Sequence, residues 1–365
     1  MLFNYFMPTK IYFGRDVVLK NKDILKDFGK KAYIITGKRS SKINGSLDHV
    51  IEALECNNIE YIIFDEVEEN PSLETVEKAS LIGKNEKVDF IIGIGGGSPL
   101  DAAKAIGIFI NNPNINKDNI NETKDLKSLP LIAIATTSGT GSEVTQYAIV
   151  TDHNNQTKKN LGQSVFPNVA FLDPSYTMDM SYDLTVSTAI DAFTHLAEGY
   201  LNNNASELTD NMAESGLKLF GKCLKDILKN NIDYSTRENL MLASTLGGMI
   251  IAQTGTSLPH GMGYPLTYFK NIPHGKANAL LYVEYLNIFK DKSRVNKILR
   301  FLNLVDVQEF STMISKLIDT TVDITEKEVE VYARIMCSND AKLKNHPEKV
   351  GYDEIYNIYM NSLIK

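Results

Sequence analysis

Hydrophobic residues recur with different periods in the two halves of this chain. In the first half, short runs that are apolar on both faces alternate with segments whose apolar residues fall at helical spacing. This alternation is typical of a parallel sheet that is covered by helices on both sides. The predicted strands lie at 32–36, 59–64, 88–93 and 131–135, after an extended segment at 9–14, and the predicted helices lie at 46–56, 73–85 and 99–111.

From about residue 184 onward, nearly every segment has a helical period and none alternates like a strand. Just before this point, the segments 148–151 and 169–173, with a turn at 152–155, predict a β appendage that closes the first half. The sequence therefore predicts an α/β domain over residues 1–180 and an all-helical domain over residues 181–365. The predicted helices of the second half lie at 184–201, 207–230, 235–253, 278–302, 307–318, 325–338 and 351–364.

Composition narrows the class of protein. A length of 365 residues favours two domains, and a formal charge of −7 without a long basic run argues against a nucleic-acid surface. The longest apolar stretch, 240–258, is interrupted by Ser244, Thr245, Gln253 and Thr254, which favours a packed helix over a membrane span. The N-terminus lacks a signal-peptide pattern, and the three cysteines form no CxxC pair, so we expect a cytoplasmic protein with free thiols.

Asp191 and His195 carry the first candidate chemistry. They lie four residues apart in a predicted helix, so both side chains project from one face and can bind one divalent metal ion. Such a pair, taken alone, also fits a solvated ion pair or a carboxylate that caps the helix N-terminus. Two further histidines, His260 and His274, stand in Pro-His-Gly sequences that we interpret as glycine-flanked turns. The four residues together favour a metal site.

A glycine-rich loop follows the third predicted strand and opens a helix. We expect Ser98 to be its N-cap, Pro99 its first residue, and Asp101 to complete a capping-box-like arrangement. Glycines allow close approach of a phosphate, and a helix N-terminus offers free N–H groups. The loop lacks the usual dinucleotide fingerprint, and a tight turn without a ligand is the alternative. The candidate cofactor residues here are Gly95, Gly96, Gly97, Ser98 and Asp101.

A second loop, 136–143, follows the fourth predicted strand and is rich in hydroxyl groups and glycine. Its composition suits hydrogen bonds to phosphate or ribose, although it also suits a plain loop. Two such loops on one sheet favour a nucleotide site beyond the carboxyl ends of the strands. The candidate cofactor residues in and around this loop are Thr136, Thr137, Ser138 and Thr145, and we add Asn70 and Lys159 to the set.

The turn after the first predicted strand bears on the choice of cofactor. An acidic residue at this place would favour the free 2′-hydroxyl of NAD. The chain instead has Gly37, Lys38, Arg39 and Ser40, which can accommodate a 2′-phosphate. The sequence therefore favours NADP(H) over NAD(H), with Gly37, Lys38 and Ser40 as candidate contacts, and a solvated basic turn is the alternative.

Taken together and in this order, these segments resemble the iron-containing (group III) alcohol dehydrogenases, and in particular their NADP(H)-dependent, butanol-dehydrogenase-like members. The resemblance implies a Rossmann-like dinucleotide-binding domain, a helical metal- and substrate-binding domain of the dehydroquinate-synthase-like fold, and a homodimer or larger assembly. It also implies a divalent metal, Fe²⁺ in preference to Zn²⁺, bound by Asp191, His195, His260 and His274. The matching segments are 6–14, 95–104, 136–143, 191–195 and the two Pro-His-Gly sequences.

One position departs from the family pattern. Many members have a further histidine four residues after the third ligand, where this chain has Tyr264. An unperturbed phenol, with a pKa of about 10, is a poor base at neutral pH, so a histidine-based proton relay is in doubt. Tyr264 is a candidate hydrogen-bonding residue at the catalytic site, or an aromatic residue of the pocket wall.

These features predict a metal-dependent alcohol dehydrogenase or aldehyde reductase that transfers hydride between a nicotinamide cofactor and a small primary alcohol or aldehyde. A polyol (glycerol-type), hydroxyacid or maleylacetate-type oxidoreductase of the same fold is the alternative, as is a synthase that uses nicotinamide transiently. Highly charged substrates would need several cations, and the obvious ones near the proposed ligands are Lys270 and Lys276, which favours a weakly charged substrate. A non-enzymatic metal- or nucleotide-binding scaffold is a third interpretation.

Overall fold

The computed structural model describes residues 3–120 and 122–364. The chain forms two compact units, one spanning Phe6–Met180 and the other comprising 181–364 with residues 3–5. No described helix combines the length and the apolar character that crossing a membrane requires.

The first unit is built on a parallel sheet. Within the described residues its strand order is β1-β8-β5-β4-β2-β3, and all neighbouring strands run parallel. A separate antiparallel hairpin is formed by β6 and β7. The strands are β1 Lys10–Phe13, β2 Lys31–Gly37, β3 Glu60–Val67, β4 Phe90–Gly95, β5 Leu131–Ala135, β6 Ile149–Asp152, β7 Thr157–Asn160 and β8 Val169–Leu172.

Helices cover both faces of this sheet. Successive strand residues point to opposite faces, so Tyr33 and Ile35 of β2 belong to one apolar core, while Ala32 and Ile34 belong to another. The first core includes residues of α4 and α5, and the second includes residues of α1 and α3. The helices are α1 Val17–Lys20, α2 Ser40–Ile43, α3 Ser46–Cys56, α4 Leu73–Glu86 and α5 Gly97–Asn111, with short 3₁₀ helices at Lys22–Asp27, Ser142–Val144 and Pro174–Thr177.

The prediction that segment 169–173 belongs to a β appendage is wrong. β8 lies inside the main sheet, where it pairs in parallel with β1 on one side and with β5 on the other. All four of its residues are buried. A run that is apolar on both faces suits such an internal position, and the β6–β7 hairpin alone forms the appendage within the described residues.

The second unit is helical throughout its described residues, which confirms the predicted fold class of an α/β unit followed by an all-α unit. Helix α6 is buried from Val186 to Tyr200 except at Thr188, and it packs against α7, α8 and α10. The helices are α6 Tyr182–Tyr200, α7 Glu207–Leu228, α8 Tyr234–Thr254, α9 Leu258–Lys270, α10 His274–Asn287, α11 Ser293–Phe301, α12 Val307–Leu317, α13 Glu326–Cys337, α14 Asp340–Leu343 and α15 Tyr352–Leu363.

The interpretation of the two Pro-His-Gly sequences as turns is also wrong. His260 lies in the first turn of α9, and His274 is the first residue of α10. Gly261 and Gly263 disfavour a helix by propensity, but their missing side chains make room for neighbours. A Cβ on Gly261 would lie 2.6 Å from Met336 Sδ, and one on Gly263 would collide with Asn278 Oδ1. Tertiary packing therefore decides the structure of this segment.

The single helix predicted at 278–302 is two helices, α10 and α11, that are separated by a turn at 288–292. Lys292 Nζ donates hydrogen bonds to the carbonyl groups of Leu286 and Asn287 at the end of α10. The carboxylate of Glu348 accepts hydrogen bonds from the backbone of Lys290 and Asp291. The distant Glu348 helps to hold the turn, so the local sequence alone does not predict it.

Candidate functional site

Helix α6 presents three chemically competent side chains along one face. Asp191, His195 and Glu198 stand at positions i, i+4 and i+7, the spacing at which helical residues share a stripe. All three are buried, with exposed fractions of 4%, 5% and 0%. Ser181 begins the helix as its N-cap, with Oγ accepting a hydrogen bond from the Leu184 N–H. One face of α6 thus carries two carboxylic acids and an imidazole that are buried from water.

The first turn of α9 brings His260 to this stripe. One potential ligand atom from each of Asp191, His195 and His260 can be chosen so that all three lie within 4.8 Å of one another. His260 Nε2 lies 3.6 Å from Asp191 Oδ1, and the rings of His195 and His260 stack with their centroids 4.5 Å apart. A carboxylate and two imidazoles are a ligand set that suits iron, zinc and other divalent transition metals.

The hydrogen bonding of His260 leaves one ring nitrogen available. Nδ1 lies 2.5 Å from Glu198 Oε1, whereas Nε2 is buried and has no hydrogen-bond partner among the described residues. A buried polar atom without a partner is costly in free energy. Bonding to a cation removes this cost, because neutral imidazole Nε2 is a common metal ligand. The residues present therefore fit the divalent metal that the sequence predicts.

Interactions within this cluster shift the pKa values of Asp191 and His260 toward their charged forms. Burial raises the pKa of Asp191, but the imidazoles of His195, His260 and His274 outweigh burial and hold this pKa well below its usual range. Burial lowers the pKa of His260, yet Glu198 and Asp191 outweigh it and raise the value to about 9. The carboxylate of Asp191 is therefore ionised at neutral pH, as a metal ligand must be.

His274 lies beside this group of three but not within it. Its ring centroid lies 5.3 Å from that of His260. Its Nε2 lies 3.3 Å from Asn278 Nδ2, and its Nδ1 lies 3.5 Å from Thr267 Oγ1. Asn278 Nδ2 also lies 3.5 Å from Asp191 Oδ1. Asn278 thus lies between the two predicted ligands Asp191 and His274.

Tyr264 is next to the predicted fourth ligand. It lies one turn after His260 on α9, and its ring stacks on that of His274 with centroids 5.5 Å apart. Tyr264 is half-buried. This position suits the wall of a site near His274, and the catalytic role of Tyr264 stays a prediction.

Two residues of this centre were missed by the sequence analysis, namely Glu198 and Asn278. Both could have been found from helical spacing. Glu198 continues the stripe of Asp191 and His195, and Asn278 stands four residues after His274, on the same face of α10. Neither residue type is distinctive at such a spacing, so the signal becomes specific only when the helices are packed together.

In the first unit, the two glycine-rich loops pack against each other. A Cβ on Gly96 would lie 2.9 Å from Thr137 Oγ1, and one on Gly97 would lie 2.7 Å from Thr140 Cγ2. Gly95 has a φ of +151°, and a Cβ there would lie 2.5 Å from the Pro99 ring. These glycines are therefore required for the loop structure itself, apart from any ligand.

The predicted capping of α5 is wrong. The helix begins at Gly97, its N-cap is Gly96, and no side chain caps it. The hydroxyl of Ser98 instead accepts a hydrogen bond from the Asn70 N–H at 3.0 Å. Asp101 accepts hydrogen bonds from Ser142 Oγ and from the Ile149 N–H, which tie α5 to the second loop and to the start of β6. Because no side chain caps α5, the N–H groups of its first turn can bind a phosphate.

The second loop carries buried hydroxyls that suit a ligand. Thr136 Oγ1 and Ser138 Oγ are buried without a hydrogen-bond partner among the described residues. Lys104 is fully buried, and its Nζ donates hydrogen bonds to Thr145 Oγ1 at 3.4 Å and to Ser142 Oγ at 2.8 Å. Burial lowers the pKa of Lys104 to about 8, against the opposing effect of Asp101. Lys104 was not among the candidate residues predicted from the sequence.

The remaining candidate cofactor residues lie at two other places. Gly37 ends β2, and Lys38 and Ser40 follow it as exposed residues. Asn70 has a φ of +57°, and its Oδ1 accepts a hydrogen bond from Lys158 Nζ at 2.7 Å. Lys159 is instead 2.6 Å from the carboxylate of Asp152. Lys158, which the sequence analysis passed over, is thus the lysine that contacts Asn70.

Comparison with known proteins shows the family. Residues 8–174 match the model of the family described as iron-containing alcohol dehydrogenase, and residues 185–363 match the model of its C-terminal region. The chain belongs to the iron-containing alcohol dehydrogenase family. The predicted resemblance is confirmed.

Several known proteins resemble this member of the iron-containing alcohol dehydrogenase family along most of its length. The NADPH-dependent butanol dehydrogenase of Clostridium saccharobutylicum is 30% identical over 89% of this chain and 83% of that protein. A crystal structure of an iron-containing alcohol dehydrogenase from Thermotoga maritima is 36% identical, with a TM-score of 0.92 over 99% of each chain. An aldehyde-alcohol dehydrogenase of Streptococcus pneumoniae is 34% identical over 75% of this chain, which corresponds to only 32% of that longer relative.

Proposed function

We propose that this protein is a metal-dependent alcohol dehydrogenase or aldehyde reductase, with NADP(H) favoured as the cofactor. The observation that supports this most directly is the buried group of Asp191, His195 and His260, in which His260 Nε2 has no hydrogen-bond partner among the described residues. In this proposal, the helical unit binds the metal and the substrate, and the α/β unit binds the dinucleotide. Fe²⁺ is the favoured metal because the chain belongs to the iron-containing family. Zn²⁺ is the alternative, because a carboxylate with imidazoles accepts both ions.

The residues of the helical unit have distinct roles in this proposal. Asp191, His195, His260 and His274 would hold the metal, which would supply Lewis-acid polarisation of the substrate oxygen, and a bound nicotinamide would supply the hydride chemistry. The Asp191 carboxylate would offset part of a divalent cation's charge, and the about one net positive charge that would remain suits a developing alkoxide. Burial of all three clustered side chains excludes water and strengthens these interactions. Tyr264 forms a wall beside His274.

The first unit supplies phosphate and ribose contacts in this proposal. Its candidates are the uncapped first turn of α5 and the buried hydroxyls of Thr136 and Ser138. The preference for NADP(H) rests on Gly37 and the exposed Lys38 and Arg39, which leave space and positive charge for a 2′-phosphate. The names of relatives mention both cofactors: one is an NADPH-dependent butanol dehydrogenase, and another is a sulfoacetaldehyde reductase in complex with NAD⁺.

The charges in the helical unit support a small, weakly charged substrate. The two lysines singled out from the sequence are already paired, Lys270 with Glu328 at 2.7 Å and Lys276 with Asp183. They are therefore poorly placed to bind a phosphate or a polycarboxylate. Relatives named for butanol, lactaldehyde and 1,3-propanediol are consistent with a small alcohol or aldehyde.

An anaerobic steady-state assay tests this proposal. Protein reconstituted separately with Fe²⁺ and with Zn²⁺ is given butanal, lactaldehyde, 3-hydroxypropanal or a phosphorylated aldehyde such as glyceraldehyde 3-phosphate, with NADPH or NADH. We expect consumption of NADPH that depends on the added metal and exceeds consumption of NADH. Equal turnover by a metal-free preparation would contradict the metal assignment. A preference for a phosphorylated substrate in the same panel would contradict the substrate class.

The basis of the cofactor preference is tested by Gly37→Asp. A carboxylate at this place repels a 2′-phosphate and can bind a free 2′-hydroxyl, so kcat/KM for NADPH relative to NADH should fall by about tenfold or more. The backbone tolerates the change, because a Cβ on Gly37 would have its nearest contact at 3.4 Å, to the Val67 carbonyl. Gly37→Ala is the matched control and should leave the ratio nearly unchanged. An unaltered ratio in Gly37→Asp would place the 2′-position of the ribose elsewhere.

A further inference from the structure

The strongest unassigned group in the helical unit is the carboxylate of Glu198, which is completely buried. We propose that Glu198 is a positioning residue, which fixes His260 in the tautomer that presents Nε2 to the metal and fastens the first turn of α9 to α6. This inference rests on the proposed metal site and assigns a role to a residue that does not itself bind the metal.

Both oxygens of Glu198 are engaged by the same short segment. Oε1 lies 2.5 Å from His260 Nδ1, and Oε2 accepts a hydrogen bond from the Ser257 N–H at 2.7 Å. Ser257 is the N-cap of α9, and His260 is three residues further along the first turn. One carboxylate therefore fixes both the backbone at the start of α9 and the ring that this helix carries.

The tautomer follows from this geometry. A carboxylate only accepts hydrogen bonds, so Nδ1 must carry the proton that it donates to Glu198. In the neutral ring Nε2 is then unprotonated, and it is this atom that lies 3.6 Å from Asp191 Oδ1 without a hydrogen-bond partner among the described residues. Carboxylates that orient metal-binding histidines in this way also increase the basicity of the ligand.

The charge of Glu198 is compensated locally. Lys342, a half-buried residue of α14, interacts electrostatically with Glu198, and its Nζ donates a hydrogen bond to Thr256 Oγ1. Thr256 precedes Ser257 in sequence, so the ammonium group is held beside the same turn. A buried carboxylate with this partner, and with a hydrogen-bond donor at each oxygen, has its burial compensated.

An amide in place of this carboxylate cannot satisfy both donors. In Glu198→Gln, the single amide oxygen can face either His260 Nδ1 or the Ser257 N–H. If the NH₂ group faces Nδ1, then Nε2 carries the proton and cannot bind a metal. If the oxygen faces Nδ1, two donors meet at Ser257, which moves the first turn of α9. Either arrangement weakens the site.

The test measures metal affinity rather than turnover. Metal-free wild-type protein and Glu198→Gln are titrated with Zn²⁺ against a chromophoric chelator, and we expect the Kd of the variant to be about 10- to 100-fold higher. Glu214→Gln is the matched control, because Glu214 is a half-buried carboxylate of α7 that accepts a hydrogen bond from Tyr200. Its Kd should equal that of the wild type.

A spectroscopic measurement separates positioning from a general loss of structure. In Zn²⁺-loaded wild-type protein with ¹⁵N-labelled histidine, the His260 ring should show a protonated Nδ1 in a strong hydrogen bond, with Nε2 bound to zinc. This measurement decides the matter even if Glu198→Gln does not fold, since zinc on Nδ1 or a proton on Nε2 would overturn the inference. An unchanged Kd in folded Glu198→Gln would overturn it as well. Wild-type protein that binds no Zn²⁺ would instead overturn the proposed metal site, and this inference with it.

Discussion

Replacing His260 by alanine is expected to abolish metal retention and to lower kcat/KM by about a thousandfold or more. The change removes one of the three side chains that cluster within 4.8 Å, and with it several kcal/mol of stabilisation of the developing charge. Metal content per chain after desalting and steady-state rates with NADPH check both parts. Asp191→Asn should give the same two losses, because it keeps the shape of the side chain but removes its negative charge.

The control for this variant is a histidine outside the centre. His153 is exposed in the turn between β6 and β7, and His153→Ala should keep both the metal and the rate. His260→Ala also leaves the buried Glu198 carboxylate with one donor fewer, so its fold should be verified by circular dichroism in the metal-free state. A folded His260→Ala protein that holds a full equivalent of metal would show that the centre lies elsewhere.

Gly275→Ala is expected to damage the same centre without replacing a proposed ligand. Gly275 directly follows His274 in the first turn of α10, and a Cβ there would collide with the Ser187 carbonyl oxygen of α6 and lie 3.1 Å from Asp191 Cβ. The two helices must then separate, which moves His274 away from Asp191. Overpacking of this kind costs about 1–3 kcal/mol of the free energy of unfolding. Denaturant unfolding of the metal-free protein measures that cost, and a Zn²⁺ titration should show weaker binding.

Gly351→Ala is a suitable comparison, because it makes the same chemical change at a helix N-cap where there is room. A Cβ on Gly351 would have its nearest contact at 3.4 Å, to Glu354 Oε2, which is an ordinary van der Waals distance. We expect a metal affinity close to that of the wild type and a loss of less than about 1 kcal/mol in the unfolding free energy, since alanine is a poorer N-cap than glycine. If Gly275→Ala behaved like this control, the close packing of α10 on α6 would not be what holds the centre together.

The α/β unit could be predicted from sequence because its strands are apolar on both faces and its helices are periodic. Residues 32–36 illustrate this, since alternate side chains of β2 enter the cores above and below the sheet. The place of β8 could not be predicted. Its apolar run resembles those of the other strands, and only the tertiary structure shows that it is inserted between β1 and β5. Strand order depends on long-range pairing that a local pattern does not contain.

For the candidate centre, the periodicity of α6 was sufficient to pair Asp191 with His195. Periodicity did not predict α9, because Gly261, Gly263 and Pro265 all disfavour a helix. These residues are accepted in α9 only through packing with other helices. The role proposed for Glu198 could not be predicted from the sequence for a different reason. Its two donors come from a turn about sixty residues away along the chain, which no spacing rule connects to it.

The separation of the clustered side chains along the chain has a consequence for biosynthesis. Asp191 and His260 are 69 positions apart, so at roughly 5–20 residues per second His260 leaves the ribosome several seconds after Asp191. During this interval a nascent chain offers a metal ion only the weak pair on α6. In the proposed site, the cation is therefore chosen late, from the pool of ions that meets the folded helical unit. Because zinc binds such ligands more tightly than ferrous iron does, we expect iron to fill the proposed site only in cells that hold free zinc far below free iron.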